Sequence, residues 1–240
     1  MSAPVPKILA IVPAYNEAGN IGSVVQQIRS LSIPVDVLVV NDGSRDSTAQ
    51  EASAQGASVV SLPFNLGIGG AVQTGFQFAF DGGYDIAVQI DGDGQHDAAD
   101  LPKLLAPITA GHADMVVGSR FMENSDGFKS SFSRRLGIQF FVHLIGALTG
   151  ASISDPTSGF RAYNQKMIRL FAEQYPHDFP EPEAIMLARL FEAKIEEVPV
   201  EMRKRSAGLS SIRYMKTLYY MVKVTFAILL NKIKKKKEIN

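Results

Sequence analysis

The sequence contains no cysteine, which excludes disulfide bonds, thiolate metal sites and cysteine nucleophiles together. It also has no excess of charge, because 24 basic residues balance 24 acidic ones, and this balance argues against a nucleic-acid-binding protein. The N-terminal sequence MSAPVPK has no apolar run behind a basic patch, so it lacks the pattern of a secretory signal. We therefore expect a cytoplasmic protein that binds no nucleic acid.

The C-terminal segment, residues 212–240, lacks an apolar run long enough to span a membrane. Tyr214–Leu230 is strongly apolar, but Lys216 and Lys223 interrupt it, and a spanning helix needs about 20 apolar residues. On a helical wheel these two lysines and Lys234 fall almost on one line, which is typical of a helix lying in the membrane surface. A basic cluster would add attraction to anionic lipid: Lys232, Lys234, Lys235, Lys236, Lys237. We expect peripheral association with the inner face of the cell membrane; a helix docked on a second copy or on a membrane partner subunit is the alternative.

The preceding residues, 1–211, are long enough and apolar enough for one substantial domain. Short runs rich in Val and Ile alternate with helical patterns, which predicts an α/β fold with a parallel sheet wrapped by helices. The predicted strands are Ile8–Val12, Val35–Val40, Ser58–Leu62, Ile86–Ile90 and Met115–Val117. The predicted helices are Ala18–Leu31, Ser47–Gln55, Gly70–Phe80 and Ala98–Ala110. After about Ser119 the alternation stops, and we expect an apolar helix at Leu136–Leu148 and a last strand at Ile195–Met202.

Polar loops follow three of the predicted strands, at residues 13–17, 41–44 and 91–96. The carboxyl ends of parallel strands meet at one edge of the sheet, where doubly wound folds bind their ligands. Turn formation alone could explain any one of these loops, because Asn, Asp, Gly and Ser are common turn residues. Three of them at the same edge favour a binding site.

Asp91 and Asp93, one residue apart at the end of a predicted buried strand, are the strongest of these features. Their carboxylates can reach one Mg²⁺ or Mn²⁺, cations that prefer oxygen ligands and share their coordination with substrate phosphates. An Asp-Gly turn with solvated carboxylates is the alternative. A calcium loop is excluded, because His96 and Pro102 stand where that pattern requires Gly and Glu. We expect His96 to be a surface residue.

The glycine-rich stretch Gly67–Val72 is not a dinucleotide fingerprint, because Val72 stands where the third glycine belongs and the stretch follows the third strand. The pair Gly70 and Gly75 has phosphate-loop spacing, but Phe76 follows where lysine is required. Backbone amides near Gly70 could approach a donor, or the glycines could simply start a helix, and the sequence leaves both open.

Six segments in order resemble the family 2 inverting glycosyltransferases, most closely the branch of dolichol-phosphate mannose synthases and bacterial undecaprenyl-phosphate sugar transferases. The segments are VPAYNEAGNI (12–21), VVNDGSRDST (39–48), NLGIGGAVQTGF (65–76), DGDGQHDAADLPKL (91–104), GSRF (118–121) and DPTSGFRAYN (155–164). The resemblance implies a GT-A fold for residues 1–211, a UDP- or GDP-linked sugar donor, and Mg²⁺ or Mn²⁺. It further implies that Asp42 contacts the base or ribose. The nucleotide pocket would be lined by Pro13, Ala14, Tyr15 and Glu17, and the metal held by Asp91, Asp93 and Gln95.

The reaction expected of such an enzyme is a single displacement at the anomeric carbon, and its acceptor decides which groups are needed. A lipid phosphate is already mostly a dianion at neutral pH, so it needs cations but no catalytic base. A sugar hydroxyl is far less acidic and needs a carboxylate, for which Asp155, Glu181 and Glu183 are candidates. Arginine binds phosphate in a forked geometry. The candidate arginines are Arg120, Arg134, Arg135, Arg161, Arg203 and Arg205, and we favour Arg203 and Arg205 as ligands of a lipid phosphate.

Three hypotheses for the function follow. The first is transfer of a sugar to a polyprenyl phosphate at the cytoplasmic face of the membrane. The second is extension of a cell-surface polysaccharide on a sugar hydroxyl. The third is a catalytically silent, nucleotide-binding membrane subunit. The presence of both Asp91 and Asp93 argues against it.

Overall fold

A seven-stranded mixed sheet forms the centre of the computed structural model, which describes residues 5–122, 132–150 and 152–203. The strand order is β3-β2-β1-β4-β6-β5-β7. The strands are β1 (Ile8–Ala14), β2 (Asp36–Asn41), β3 (Ser58–Ser61), β4 (Ile86–Gln89), β5 (Met115–Ser119), β6 (Arg161–Asn164) and β7 (Ile195–Pro199). The helices are α1 (Ile21–Arg29), α2 (Thr48–Ala54), α3 (Gly67–Asp81), α4 (Leu101–Thr109), α5 (Phe132–Thr149), α6 (Gln165–Glu173) and α7 (Pro180–Leu190), and a 3₁₀ turn, Ala98–Asp100, precedes α4.

Within the described residues, every predicted strand and helix is present, with ends that differ by a few residues, but the sheet is not wholly parallel. Strand β6 runs antiparallel to both β4 and β5. Its reversed direction places Arg161, its first residue, opposite Gln89, the last residue of β4. The start of β6 therefore lies at the same edge of the sheet as the carboxyl ends of the parallel strands.

Two apolar layers cover the two faces of the sheet, as expected when strands are buried on both sides. Along β1, Leu9 and Ile11 pack into the layer formed with α3, α6 and α7. Ala10 and Val12 point to the opposite face and pack with α1 and α4. Helix α3 lies so close to the sheet that a Cβ atom at Gly75 would come within 2.2 Å of Ile11 Cγ2. This rigid scaffold fixes the positions of the loops at the sheet edge.

Aspartate side chains accept backbone hydrogen bonds at two of the helix starts. The Asp97 carboxylate accepts a hydrogen bond from the Ala99 N–H (3.0 Å) at the start of the 3₁₀ turn. Ahead of α2, the Asp46 carboxylate accepts from the Thr48 N–H (3.0 Å), while Ser47 occupies the cap position without a capping hydrogen bond from its side chain.

Within the described residues, no helix combines the length and the apolar character needed to cross a bilayer. The predicted membrane-surface helix at residues 212–240, its lysine cluster and Arg205 lie outside the described residues.

Candidate active site

A pocket of about 580 Å³ opens at the carboxyl edge of the sheet, in the range typical of small-molecule sites. The loops after β1, β2 and β4 converge there with the starts of α3 and α7. Its walls carry several carboxylates, and the lining among the described residues contains no lysine or arginine. The lining residues are Pro13, Ala14, Tyr15, Asn16, Glu17, Asp42, Asn65, Gly67, Ile68, Ala71, Asp91, Gly92, Asp93 and Glu181. The three polar loops predicted to meet at this edge therefore do so.

Hydrogen bonds tie the loop after β1 to the loop after β2. Asn16 adopts a left-handed backbone conformation (φ 54°), which its short polar side chain tolerates. Its backbone N–H donates to Ser44 Oγ (2.9 Å), and its side-chain oxygen accepts from the Arg45 N–H (2.9 Å). This arrangement leaves Tyr15 with 46% of its surface exposed at the pocket mouth, where a planar base could stack on its ring.

Asp42 joins the loop after β2 to the start of α3. Its two carboxylate oxygens accept hydrogen bonds from the Leu66 N–H (2.6 Å) and the Gly67 N–H (2.9 Å). Burial raises the pKa of Asp42, and these two backbone donors oppose the shift. A carboxylate thus already neutralises the positive end of the α3 dipole.

Gly70 lies inside the first turn of α3 and not in the pocket lining. A Cβ atom at this position would come within 2.6 Å of Leu66 Cβ. The Gly70 backbone therefore does not line the pocket, where it was expected to approach a donor. Instead, the absence of a side chain at Gly70 allows close packing at the helix start.

Asp91 and Asp93 both line the pocket, at the end of β4. Burial raises the pKa of the Asp91 carboxyl to about 7, and the neighbouring Asp93 charge adds to this increase. The Asp91 side chain keeps 35% of its surface exposed through the pocket opening, so a ligand can reach it. Gly159 borders the same carboxyl, since a Cβ atom there would lie 3.0 Å from both carboxylate oxygens.

A divalent cation suits these two carboxylates, because it would offset the repulsion that raises the pKa of Asp91 and because both donors are hard oxygens. Across the described residues, no group of three or more acidic, His or Cys side chains is arranged to enclose a metal ion. Mg²⁺ is usually bound by one or two carboxylates together with water and substrate phosphates, so two carboxylates are compatible with such a site. Gln95 is absent from the lining; its backbone N–H donates to Asp93 Oδ1 (3.0 Å).

His96 is buried, and the expectation of a surface histidine is wrong. Its ring stacks on Phe160 with a centroid distance of 5.0 Å and an interplanar angle of 13°. Burial lowers the pKa of His96 to about 4, so the ring is neutral near pH 7 and its Nδ1 accepts a hydrogen bond from the Asp91 N–H (3.2 Å). This hydrogen bond from the buried His96 ring fixes the backbone at Asp91, the first residue of the acidic pair.

Asp155 and Arg120 form a fully buried ion pair with each other. The Arg120 guanidinium donates through Nε to Asp155 Oδ2 (2.6 Å) and through Nη2 to Oδ1 (2.7 Å). The Nη2 group also donates to Thr157 Oγ1 (2.8 Å). The roles expected for these two residues, base and phosphate ligand, do not fit this arrangement, because each already neutralises the other outside the pocket lining.

Arg203 also lies away from the pocket. Its guanidinium donates to Asp97 Oδ2 (2.5 Å) and to Gln27 Oε1 (2.9 Å), on the side of α1. Its backbone N–H donates to the Gln95 carbonyl (2.8 Å), so the segment around Arg203 is tied to the loop that carries the acidic pair. The favoured role of Arg203 as a phosphate ligand is therefore not supported by its position.

Helix α7 brings one of its two N-terminal glutamates to the site. Glu181 lines the pocket, whereas Glu183, also a candidate for a base, is buried outside the lining. The sequence offered both glutamates as candidates for a base, because the pattern Phe179–Glu183 does not indicate which side of the helix faces the sheet. It also gave no sign that Arg161 would be completely buried beneath this region.

The sequence profile described as Glycosyl transferase family 2 matches residues 9–171. The chain belongs to glycosyl transferase family 2. It is accordingly a glycosyltransferase, an enzyme of class EC 2.4.

This family 2 member is similar to curated proteins over most of its length. A UDP-N-acetylglucosamine–dolichyl-phosphate N-acetylglucosaminyltransferase of Methanococcus voltae is 33% identical over 217 residues, which are 81% of this chain and 84% of the relative. An undecaprenyl-phosphate mannosyltransferase of Micrococcus luteus is 30% identical over 220 residues, which are 86% of this chain and 87% of the relative.

A solved structure with a similar fold is glucosyl-3-phosphoglycerate synthase from Mycobacterium tuberculosis in complex with Mn²⁺, uridine diphosphate and phosphoglyceric acid. It superposes with a TM-score of 0.70 at 24% identity, and the match covers 94% of this chain and 78% of that one. The predicted GT-A fold is thereby confirmed.

Proposed function

We propose that this glycosyltransferase moves a sugar from a UDP- or GDP-linked donor to a polyprenyl phosphate, with Mg²⁺ or Mn²⁺ held by Asp91 and Asp93. The observation that carries the proposal is the position of these two carboxylates in an acid-lined pocket at the carboxyl edge of the sheet. A diphosphate cannot enter such a pocket favourably without a cation, because the like charges would repel. The named activities of the relatives from Methanococcus voltae and Micrococcus luteus support the choice of acceptor.

The residues of the pocket divide the binding of the donor between them. Tyr15 offers an exposed ring for the base, and the buried Asp42 lies beside it with carboxylate lone pairs left for a base or ribose donor. When bound at Asp91 and Asp93, a divalent cation would stabilise the negative charge that builds on the departing diphosphate. Asp93 in addition accepts the Gln95 N–H, and this bond fixes the turn that presents both acids.

The candidates for a catalytic base differ in their access to the pocket. Asp155 is neutralised by Arg120, Glu183 is buried outside the lining, and Glu181 lines the pocket. A sugar hydroxyl would need a base within hydrogen-bond reach, whereas a lipid phosphate is already ionised at neutral pH. The named activities of the relatives favour the lipid phosphate, so the extension of a polysaccharide is the weaker proposal.

The experiment that separates the two acceptors offers the purified protein radiolabelled UDP- and GDP-sugars with Mn²⁺. One reaction contains a short-chain polyprenyl phosphate and the other a neutral oligosaccharide. We expect label to appear in the organic phase with the lipid phosphate and not in the oligosaccharide. Transfer to the oligosaccharide alone would refute the proposed acceptor while leaving the family membership intact.

We also propose that residues 1–211 are the catalytic domain and that residues 212–240 bind the membrane surface. Deleting 212–240 is expected to release the protein from vesicles containing anionic lipid, because the apolar segment predicted to bind the membrane surface and its lysines would both be lost. Flotation of the full chain and the shortened chain with anionic and neutral vesicles measures this. The shortened chain should keep its thermal stabilisation by UDP or GDP with Mn²⁺. Undiminished flotation after the deletion would contradict the assignment.

A further inference from the structure

The order of the strands indicates how a nucleotide sugar would lie across the site. The groups proposed for the base, Asp42 and Tyr15, follow β2 and β1, and the acidic pair follows β4. The next strand in the sheet is β6, whose first residue Arg161 is at the same edge. Adjacent strands are about 4.8 Å apart, so the three steps from β2 to β6 span roughly 14 Å. A donor with its base over β2 and β1 and its diphosphate over β4 must therefore place its sugar toward β6 and α7.

Glu181 is the titratable residue of the pocket lining that α7 contributes to this end of the site. It lies in the first turn of α7, after Pro180, whose ring restricts the backbone at the helix start. The fully buried Arg161 guanidinium donates through Nη1 to the Glu181 carbonyl oxygen (2.8 Å). The position of Glu181 is therefore fixed by a helix and by a buried hydrogen bond.

Arg161 holds this end of the pocket together as a whole. Its other two guanidinium nitrogens donate to the Ser158 carbonyl oxygen (Nε, 2.7 Å) and the Pro156 carbonyl oxygen (Nη2, 3.0 Å). The guanidinium thus connects the loop before β6 with the start of α7 through three main-chain oxygens. Among the described residues, no carboxylate forms an ion pair with Arg161, and its positive charge opposes the rise in pKa that burial causes at the nearby Glu181 and Asp91.

The carboxylate of Glu181 has acceptor capacity to spare. Within the part of the chain that the structure describes, its own backbone N–H is the one hydrogen-bond donor that reaches it. An ionised carboxylate offers two oxygens and about four lone-pair sites. Burial raises the pKa of Glu181, and the Arg161 guanidinium opposes that shift. The group is half-buried and therefore accessible from the pocket.

We propose that Glu181 accepts hydrogen bonds from hydroxyl groups of the donor sugar and so determines which sugar is transferred. This inference rests on the proposed function, because it requires a nucleotide sugar in the pocket. Neighbouring hydroxyls of a hexose can donate to the two oxygens of one carboxylate, and a fixed, half-buried carboxylate discriminates strongly against a sugar that lacks them. Asp91 and Asp93 are assigned to the cation, and a lipid phosphate acceptor requires no base, so neither proposed role uses Glu181.

The test compares Glu181→Gln with the wild type and with Glu173→Gln, a matched change at the exposed end of α6. Isothermal titration in the presence of Mn²⁺ gives Kd for UDP, GDP, UDP-glucose, UDP-N-acetylglucosamine and GDP-mannose. We expect Glu181→Gln to weaken the preferred sugar nucleotide by about tenfold or more, because a hydrogen bond to a charged group is lost. The Kd of the matching nucleoside diphosphate should stay within about twofold of the wild-type value. Glu173→Gln should change neither.

Monodeoxy derivatives of the preferred donor give a second readout that a purely structural role would not affect. In the wild type, the derivative that lacks the contacting hydroxyl should bind more weakly than the parent sugar nucleotide. In Glu181→Gln the two should bind alike, because the partner of that hydroxyl is gone.

The outcomes distinguish the two proposals. Failure of the wild type to bind any of these nucleotides with Mn²⁺ would overturn the proposed function and this inference together. Normal nucleotide binding with equal losses for diphosphate and sugar nucleotide in Glu181→Gln, or with no loss at all, would overturn the role of Glu181 alone. So would unchanged affinities with abolished turnover, which would identify Glu181 as a base.

Discussion

Replacing Asp93 by asparagine is expected to lower kcat/KM for sugar transfer by about a thousandfold, because a cation contributes several kcal/mol of transition-state stabilisation. The amide keeps an oxygen that can still accept the Gln95 N–H, so the turn itself should survive. Asp91→Asn should have a similar effect. The measurement is steady-state transfer at several Mn²⁺ concentrations, together with thermal unfolding.

The thermal measurement separates loss of the cation from loss of the fold. Without ligand, Asp91→Asn should melt at or above the wild-type temperature, because the variant removes a like-charge interaction in a buried setting. With UDP or GDP and Mn²⁺, the wild type should gain stability and the variant should not. Asp81→Asn, at the exposed end of α3, is the matched control and should behave like the wild type. Full activity in Asp93→Asn would refute the assignment of the metal site.

Replacing Arg120 by leucine is expected to reduce the free energy of unfolding by about 3–5 kcal/mol, since it would leave the Asp155 carboxylate buried without its partner. Both oxygens of Asp155 accept from the guanidinium, and the Arg120 backbone N–H donates to Oδ2 as well (3.2 Å). Urea unfolding followed by circular dichroism measures the change.

Two controls accompany the Arg120 variant. Arg169→Leu breaks an exposed pair with Glu173 on α6 and should change the stability little. Combining Arg120→Leu with Asp155→Leu should recover part of the loss, because no buried charge then remains unpaired. If Arg120→Leu were as stable as Arg169→Leu, the ion pair would not contribute the stability expected of a buried pair.

The parallel part of the fold could be predicted because each strand carries its own signal. The runs at Ile8–Ala14 and Asp36–Asn41 are apolar on both faces, and Gly, Asp and Ser mark the turns that follow them. Asp91 and Asp93 could be placed at one edge of the sheet in the same way, because the position of a strand end fixes the position of the residues after it. The local sequence pattern was therefore sufficient to locate those site residues that directly follow a strand.

What the sequence did not indicate depends on contacts between distant parts of the chain. Strand β6 is only Arg161–Asn164, with two polar residues, and its reversed direction comes from pairing with β4 and β5. His96 has polar neighbours in sequence, and its ring stacks on Phe160, which arrives from the loop before β6. The pairing of Arg120 with Asp155 joins residues 35 positions apart.

The two glutamates of α7 also could not be distinguished from the sequence, although they lie within one helical turn. Glu181 and Glu183 are two positions apart, which corresponds to about 200° around a helix, so at most one of them can face the pocket. Both have the acidic character that suits a helix start, and the sequence offers no means of choosing between them. The choice follows from packing of α7 beside α5 and from the anchor that Arg161 provides.

The antiparallel direction of β6 has a consequence for how such an enzyme can diversify. Strand β5 ends and β6 begins at the edge of the sheet that carries the pocket. The chain between Ser119 and Arg161 therefore leaves this edge and returns to it. Its two ends are fastened by Arg120 and Arg161, each through buried hydrogen bonds. Changes in length or composition inside this excursion would thus leave the donor-binding half of the sheet in register.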